Sequence, residues 1–534
     1  MTHTTVMSGA RAAMLGLALI SLVNCSGSDD TTPQVTSGGS AALQGPMVFV
    51  NNTGDKTLTS VSLKGDSGNA VLGTIPSAEF ENVALGDMQF SDENWVFMNL
   101  GAANKVATID PLTGAVPVHE ANLATGTRPV HMYRDSTNGE IIWSMNDGDN
   151  AAGTSTPGDD LINCNNPARV GGPVVGGSVT ILHNSHLGPG GNPPTVEGTV
   201  CILADGHKVT AFSSGAGVPK KVFTSSTTAG EIAVIDNDPA NVATFRKLIG
   251  RKDLCDTAKE ATLVAPLVPV VCNDESGTSL TTPFTVNNSS PHGIRWSKLT
   301  KKVYSIQQNY KEIAEIDPTT LAITNRFDLS ATPYTGYGIS PDGRFLLLRG
   351  DTTPIPTGTK LGVIDLGTLG TPRKDFTIAE LAGTSPGGFK FSPDGKRFYI
   401  LAGNAATATK KDRLFAFNAS TLTATPPALT LLKEISLVAT GGHSLDVLAQ
   451  GAGEAKYMVV SNSTDNSISI INAADNLEKQ KVIVGPSPGG VLVFSAGAAA
   501  AGNQATASVT SGGATESSLL PERLDDHGMP EVAE

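Results

Sequence analysis

The chain has 534 residues, with 37 Lys and Arg against 50 Asp and Glu and a formal net charge of −13. That balance excludes a nucleic-acid partner, which would need a basic face. Aromatic residues make up only 5%, while Gly reaches 58 and Pro 32, a composition suited to many turns and short strands.

Residues 1–24 carry Arg11 ahead of the apolar run 12–23, AAMLGLALISLV. A run of this length is too short to cross a bilayer as a helix, and a basic residue before a short apolar core is the pattern of an export signal. The run ends in Leu22-Val23-Asn24-Cys25 and passes into Ser26-Gly27-Ser28-Asp29-Asp30. This resembles a bacterial lipoprotein signal, whose lipobox ends in a Cys that is acylated. The resemblance implies lipidation at Cys25, a membrane reached through that lipid anchor, and residence in the cell envelope, at the outer membrane or on the periplasmic face. Residues 25–45, rich in Ser, Gly, Thr and Asp, read as a flexible tether.

From residue 46 a repeating unit takes over, seen most clearly at 385–404, SPGGFKFSPDGKRFYILAGN. Phe389 and Phe391 alternate with polar or small neighbours, the period of a strand. Pro393-Asp394-Gly395 is a tight turn, in which Pro presets φ, Asp bonds the local backbone and Gly accepts positive φ. Phe398-Tyr399-Ile400 is aromatic and β-branched, hence a second strand. The same order recurs at 337–348 and 291–306. Third strands follow that end in Asp110, Asp236, Asp317 and Asp365. Four short antiparallel strands per unit cannot bury both faces alone, whereas units arranged radially cover one another as a β-propeller.

The Ser-Pro-Asp-Gly turns resemble those of the YVTN-type (surface-layer-like) propeller family, with Phe398-Tyr399-Ile400-Leu401 and Val48-Phe49-Val50-Asn51 nearest to its tetrapeptide. The resemblance spans 46–495 and implies a fold, without chemistry. Second strands fall near 47, 95, 141, 221, 303, 345, 398 and 457. The expectation is an all-β chain with a single eight-bladed propeller, or seven blades if one interrupted unit is not a blade. The interruptions are insertions at 146–177 and 250–290. Three N-terminal strands lack a first strand, and 490–494 is a first strand with nothing after it. Ring closure by the C-terminal strand joining the N-terminal blade resolves both and removes open edges. Residues 496–534 read as a disordered tail.

Five cysteines are present. With Cys25 lipidated, Cys164, Cys201, Cys255 and Cys272 remain, an even set in an oxidising compartment. Pairing Cys164 with Cys201 and Cys255 with Cys272 is favoured because each pair brackets one insertion. No Cys-x-x-Cys-His occurs, which argues against c-type haem.

Aligning the units on the residue that opens each first strand brings His131, His207, His292 and His443 to one position, four of the nine histidines. Side chains there would gather near one mouth of a propeller channel, and imidazoles suit Cu or Zn. Asp147-Gly148-Asp149-Asn150 and Asp236-Asn237-Asp238 are oxygen-rich enough for Ca²⁺ but lack the spacing of a twelve-residue calcium loop. No Gly-x-Ser-x-Gly, phosphate loop or His-Glu-x-x-His is present. A non-enzymatic envelope lipoprotein is therefore expected, a binding or scaffold module for envelope proteins or glycans. The alternative is a periplasmic metal- or cofactor-binding propeller, an oxidoreductase or metal carrier using the histidine set.

Overall fold

Local chemistry folds the repeat as its sequence suggests. At both Ser-Pro-Asp-Gly turns the glycine has positive φ, +77° at Gly343 and +71° at Gly395. Their amides donate to the carbonyls of Ser340 and Ser392 at 2.7 and 2.8 Å. The serine hydroxyls bond Asp342 and Asp394 and accept the amides of Phe345 and Arg397, which start the next strand. A computed structural model describes residues 46–495, apart from 92–94, 110–117, 149–176, 184–193, 203–205, 229, 273–284, 331–333, 351–358, 369–372, 382–383, 404–411 and 425–426. Among the described residues the strands form eight four-stranded antiparallel sheets.

The chain is an eight-bladed β-propeller. Blades are numbered here from the one that contains Pro46–Asn52. First strands of blades 2 to 8 are Met88–Phe90, Pro129–Arg134, Lys208–Phe212, Pro291–Ser297, Tyr334–Ile339, Ser385–Phe391 and Gly442–Gln450. Two fourth strands are largely exposed: Val71–Ile75 of blade 1 and Lys374–Ile378 of blade 6 each bury only their final residue. The seven-bladed alternative fails because both interrupted units complete a sheet. Blade 3 joins Ile141–Asn146 to Gly177–His183, and blade 4 runs out to Leu248–Asp253. This last strand includes Gly250 to Asp253, a stretch whose charges read as the start of the second insertion.

The core lies between blades, and strand alternation explains why. In Arg397–Gly403, Phe398 and Ile400 pack towards blade 6, while Tyr399 and Leu401 pack towards blade 8. Successive side chains leave opposite faces of the sheet, so every second strand feeds two interfaces. Val303 and Tyr304 divide in the same way between the blade 4 and blade 6 sides of blade 5. Each such aromatic or aliphatic side chain contributes about 1.5–3 kcal/mol by burial.

The third-strand aspartates tie the outer turns. Asp317 accepts the amides of Thr319 and Thr320, both at 2.9 Å, and pairs with Lys302. Asp365 receives both arms of Arg344 at 2.9 Å and the Gly367 amide. Asp236 accepts the Asp238 amide and the Asn241 side chain. Asp110 lies outside the described residues. In these places the aspartates act as turn caps.

Closure is direct. Pro488–Ser495 pairs antiparallel with Pro46–Asn52, from Pro46 opposite Ser495 to Asn52 opposite Pro488. Phe494 and Leu492 join Met47 and Phe49 in the core shared with blade 2, and Val491 joins Val48 and Val50 in the core shared with blade 8.

Removing residues 488–495 should therefore lower the melting temperature and broaden unfolding, measured against a chain ending at Ser495; equal melting curves would contradict closure. A second expectation concerns acid. Burial alone would raise the Asp317 carboxyl, but the Lys302 bond and the Thr320 and Thr319 amides outweigh it and bring the value down to about 2 from an ordinary 3.8. A depressed carboxylate stabilises the fold above its unfolded value and loses that contribution as pH falls through the folded one. Asp317→Asn should cost about 2 kcal/mol at neutral pH and progressively less from pH 4 to pH 2, read from urea midpoints.

Candidate metal centre

First strands of this propeller do not begin regularly. Register shifts occur between Pro129 and His131 in blade 3, between Pro291 and Ile294 in blade 5, and between Gly442 and Leu445 in blade 8. Bulges re-aim side chains at strand ends, and here they fall at or beside His131, His292 and His443. His207 precedes the regular strand Lys208–Phe212, its carbonyl accepting the Thr227 amide at 3.1 Å.

Three of the four aligned histidines converge. His131 Nε2 lies 3.2 Å from His207 Nδ1, with the two rings edge to face at 4.5 Å. The ring of His292 stacks on that of His207 at 4.9 Å, the planes 20° apart. His131, His207 and His292 come from consecutive blades, so one imidazole follows another around the mouth. His443 opens a first strand in blade 8, beyond blades 1 and 2, and its side chain lies outside the described residues.

Two carboxylates complete the group. Antiparallel pairing puts the start of a first strand beside the end of its second strand, at the same end of the blade, so the residue after Ile141–Asn146 lies at the same mouth as the histidines. That residue is Asp147. Its amide donates to the Arg128 carbonyl at 3.1 Å and its carbonyl accepts the Gly206 amide at 3.0 Å, which fixes it between blades 3 and 4. Asp147 Oδ2 stands 3.6 Å from His207 Nδ1. Asp147 Oδ1 is buried with no hydrogen-bond partner among the described residues, a costly state for a carboxylate oxygen. One ligand atom each from His131, Asp147 and His207 lies within 4.8 Å of the other two, the only such group among the described residues. Asp87, just ahead of the first strand of blade 2, places Oδ2 2.6 Å from His131 Nδ1. The side chains of His131 and Asp87 are 8% and 16% exposed, so the pair is largely screened from water.

The separations suit a cation. Two nitrogens bound to a tetrahedral zinc ion at about 2.0–2.1 Å stand roughly 3.3 Å apart. The scaffold beneath is polar and hydrogen-bonded through its donors, while the Asn146, Asn52 and Asn462 side-chain oxygens are buried without a partner among the described residues. Asn146 Nδ2 donates to Ser178 and Thr180 hydroxyls, both at 2.9 Å. Asn52 and Asn462 bond third-strand hydroxyls in the same way from the ends of their own second strands. Lys208 Nζ, fully buried, donates to the carbonyls of Asn146 and Gly206 at 2.6 and 2.7 Å.

Sequence alignment found the histidines and missed both carboxylates as their partners. Asp147 read as part of a polar loop suited to calcium; its neighbours Asp149 and Asn150 lie outside the described residues. The usable signal was position, one residue past a second strand. The off-ring His183 sits in blade 3 between Glu197 at 2.9 Å and Glu140 at 3.5 Å. Of the cysteines, Cys255 and Cys272 form the expected disulfide, with Cα atoms 5.6 Å apart. It closes a loop of 17 residues and contributes roughly 3 kcal/mol. Cys201 is also disulfide-bonded, while Cys164 and Cys25 lie outside the described residues.

No protein-family model matches the sequence, and no curated protein matches it. Solved structures similar to the chain include apo AztD from Citrobacter koseri, at 12% identity over 84% of this chain and 98% of that one, TM-score 0.48. The periplasmic gluconolactonase PpgL of Pseudomonas aeruginosa has 13% identity over 84% and 99%, TM-score 0.46. Kuenenia stuttgartiensis hydrazine synthase has 13% identity over 70% and 96%, TM-score 0.42. At these identities the likeness transfers no ligand or activity. No described helix is long and apolar enough to cross a membrane.

Lys208→Met should cost about 1–3 kcal/mol by leaving the Asn146 and Gly206 carbonyls without their buried donor. The expected readout is a lower urea midpoint at unchanged m; an unchanged midpoint would show that the ammonium does not hold these two blades together.

Proposed function

We propose that this protein is an exported, envelope-attached β-propeller that binds one divalent transition-metal ion, zinc or copper, at a mouth of its channel. The ligands are His131, His207 and Asp147. The observation that carries the reading is the joint approach of two imidazole nitrogens at 3.2 Å and a carboxylate, one of whose oxygens is buried without a hydrogen-bond partner among the described residues. Two nitrogens and one oxygen form a donor set suited to zinc or copper and too poor in oxygen for calcium. Three protein ligands leave room for a water or an exchanging ligand, as expected of a carrier or a reactive site rather than a closed structural one.

Export and attachment rest on the signal-like segment 1–24 and on Cys25, with the Cys255–Cys272 disulfide supporting an oxidising compartment. Lipidation of Cys25 is part of the proposal, as is residence at the outer membrane or periplasmic face. Protein or glycan partners rest on analogy of fold alone, and the ligand set gives the more specific reading. The ligands come from consecutive blades, so the ion would also tie those blades together.

Calorimetric titration with Zn²⁺ and Cu²⁺ should give saturable binding near one equivalent. At a hundredfold excess over Kd the ion should add about 2.7 kcal/mol to stability. Replacing His131 and His207 together by Ala should abolish both effects, and replacing His183 should leave them intact. Absence of saturable binding by the wild type would sink the metal reading.

A further inference from the structure

The carboxylate nearest to any of these imidazoles is not among the ligands. Asp87 comes from blade 2, whereas His131 and Asp147 belong to blade 3 and His207 to blade 4. Its Oδ2 is 2.6 Å from His131 Nδ1, the separation of a strong charge-assisted hydrogen bond. An ionised carboxylate can only accept, so Nδ1 of His131 must carry the proton. In a neutral ring this leaves the lone pair on Nε2, the nitrogen that points at His207 and Asp147. His207 Nδ1 is then the donor across the 3.2 Å gap.

We propose that Asp87 is the positioning residue of the metal centre: it selects the His131 tautomer whose Nε2 can bind an ion. The inference rests on the metal reading above. It adds a residue from a third blade and a specific role. Without Asp87, the more common neutral tautomer would put the proton on Nε2 and turn that nitrogen into a donor facing the ligand position. A carboxylate behind the imidazole also raises its basicity as a ligand and fixes the ring plane. The arrangement has a resting form, with the His207 Nδ1 proton bridging to His131 Nε2. An ion entering the site takes the place of that bridging proton. His207 then carries its proton on Nε2 instead, so the exchange needs no net change of charge on either ring.

Asp87→Ala should weaken Zn²⁺ binding about 10–100-fold by calorimetry, as expected for loss of a carboxylate behind a ligating imidazole. Asp87→Asn keeps an accepting oxygen without the charge and should fall between wild type and Asp87→Ala; it also serves should the alanine variant fold poorly. The second arm needs no metal. In protein labelled with ¹⁵N at histidine, His131, assigned from a His131→Gln variant, should carry its proton on Nδ1 in the wild type. In Asp87→Ala it should move towards Nε2, with the melting temperature close to wild type. Unchanged zinc affinity in Asp87→Ala, given binding by the wild type, would overturn the proposal and leave the metal reading intact. A wild-type His131 protonated on Nε2 would overturn it regardless of metal. Failure of the wild type to bind Zn²⁺ or Cu²⁺ would instead remove the metal reading itself, and with it the proposed role.

Discussion

Closure of the ring by a strand from the far end of the chain is the constraint on which the rest of this structure depends. Each blade buries its two faces only against its neighbours, so an open array would leave two apolar faces and two strand edges in water. Pairing of Pro488–Ser495 with Pro46–Asn52 removes all of these at once. It also fixes the geometry inside. Once eight sheets share one axis, the starts of their first strands have no freedom but to face a common mouth.

The candidate centre follows from that geometry combined with a local irregularity. Bulges at the openings of the first strands break regular pairing where the chain turns into the channel. A blade on its own would present one imidazole to solvent. In a closed ring His131, His207 and His292 stand in succession, and Asp87 and Asp147 reach them from a preceding blade and a neighbouring strand end. Underneath, Lys208 Nζ bonds the Asn146 carbonyl and the Asn146 Nδ2 bonds the Ser178 and Thr180 hydroxyls. Beside these bonds, the side-chain oxygens Asp147 Oδ1 and Asn146 Oδ1 are both buried without a hydrogen-bond partner among the described residues.

The fold was legible in the sequence because its signals are local. Pro393-Asp394-Gly395 encodes its own turn, and the run from Phe398 to Leu401 encodes its own two-faced strand. Closure was legible by elimination, from three strands without a first at one end and an orphan first strand at the other. The fourth strand of blade 4 was less so: Arg251, Lys252 and Asp253 look like a solvated loop, yet all three are buried in pairing with Glu231–Asp236. Tertiary context supplied partners that a linear reading cannot see. The histidines could be aligned because they share a position in the repeat. Asp87 could not, because its relation to His131 exists only across blades, and Asp147, one residue past a second strand, meets His207 only from the neighbouring blade. Cys255 and Cys272 were legible because both ends of the bridge fall in one insertion.

The central claim is that consecutive blades build one cation site. The most direct measurement is anomalous diffraction at the zinc edge from crystals grown with zinc. The account predicts a single strong peak at about 2.0–2.2 Å from His131 Nε2, His207 Nδ1 and an Asp147 carboxylate oxygen. Zinc bound elsewhere on the molecule, with none between His131 and His207 at saturating concentration, would contradict it.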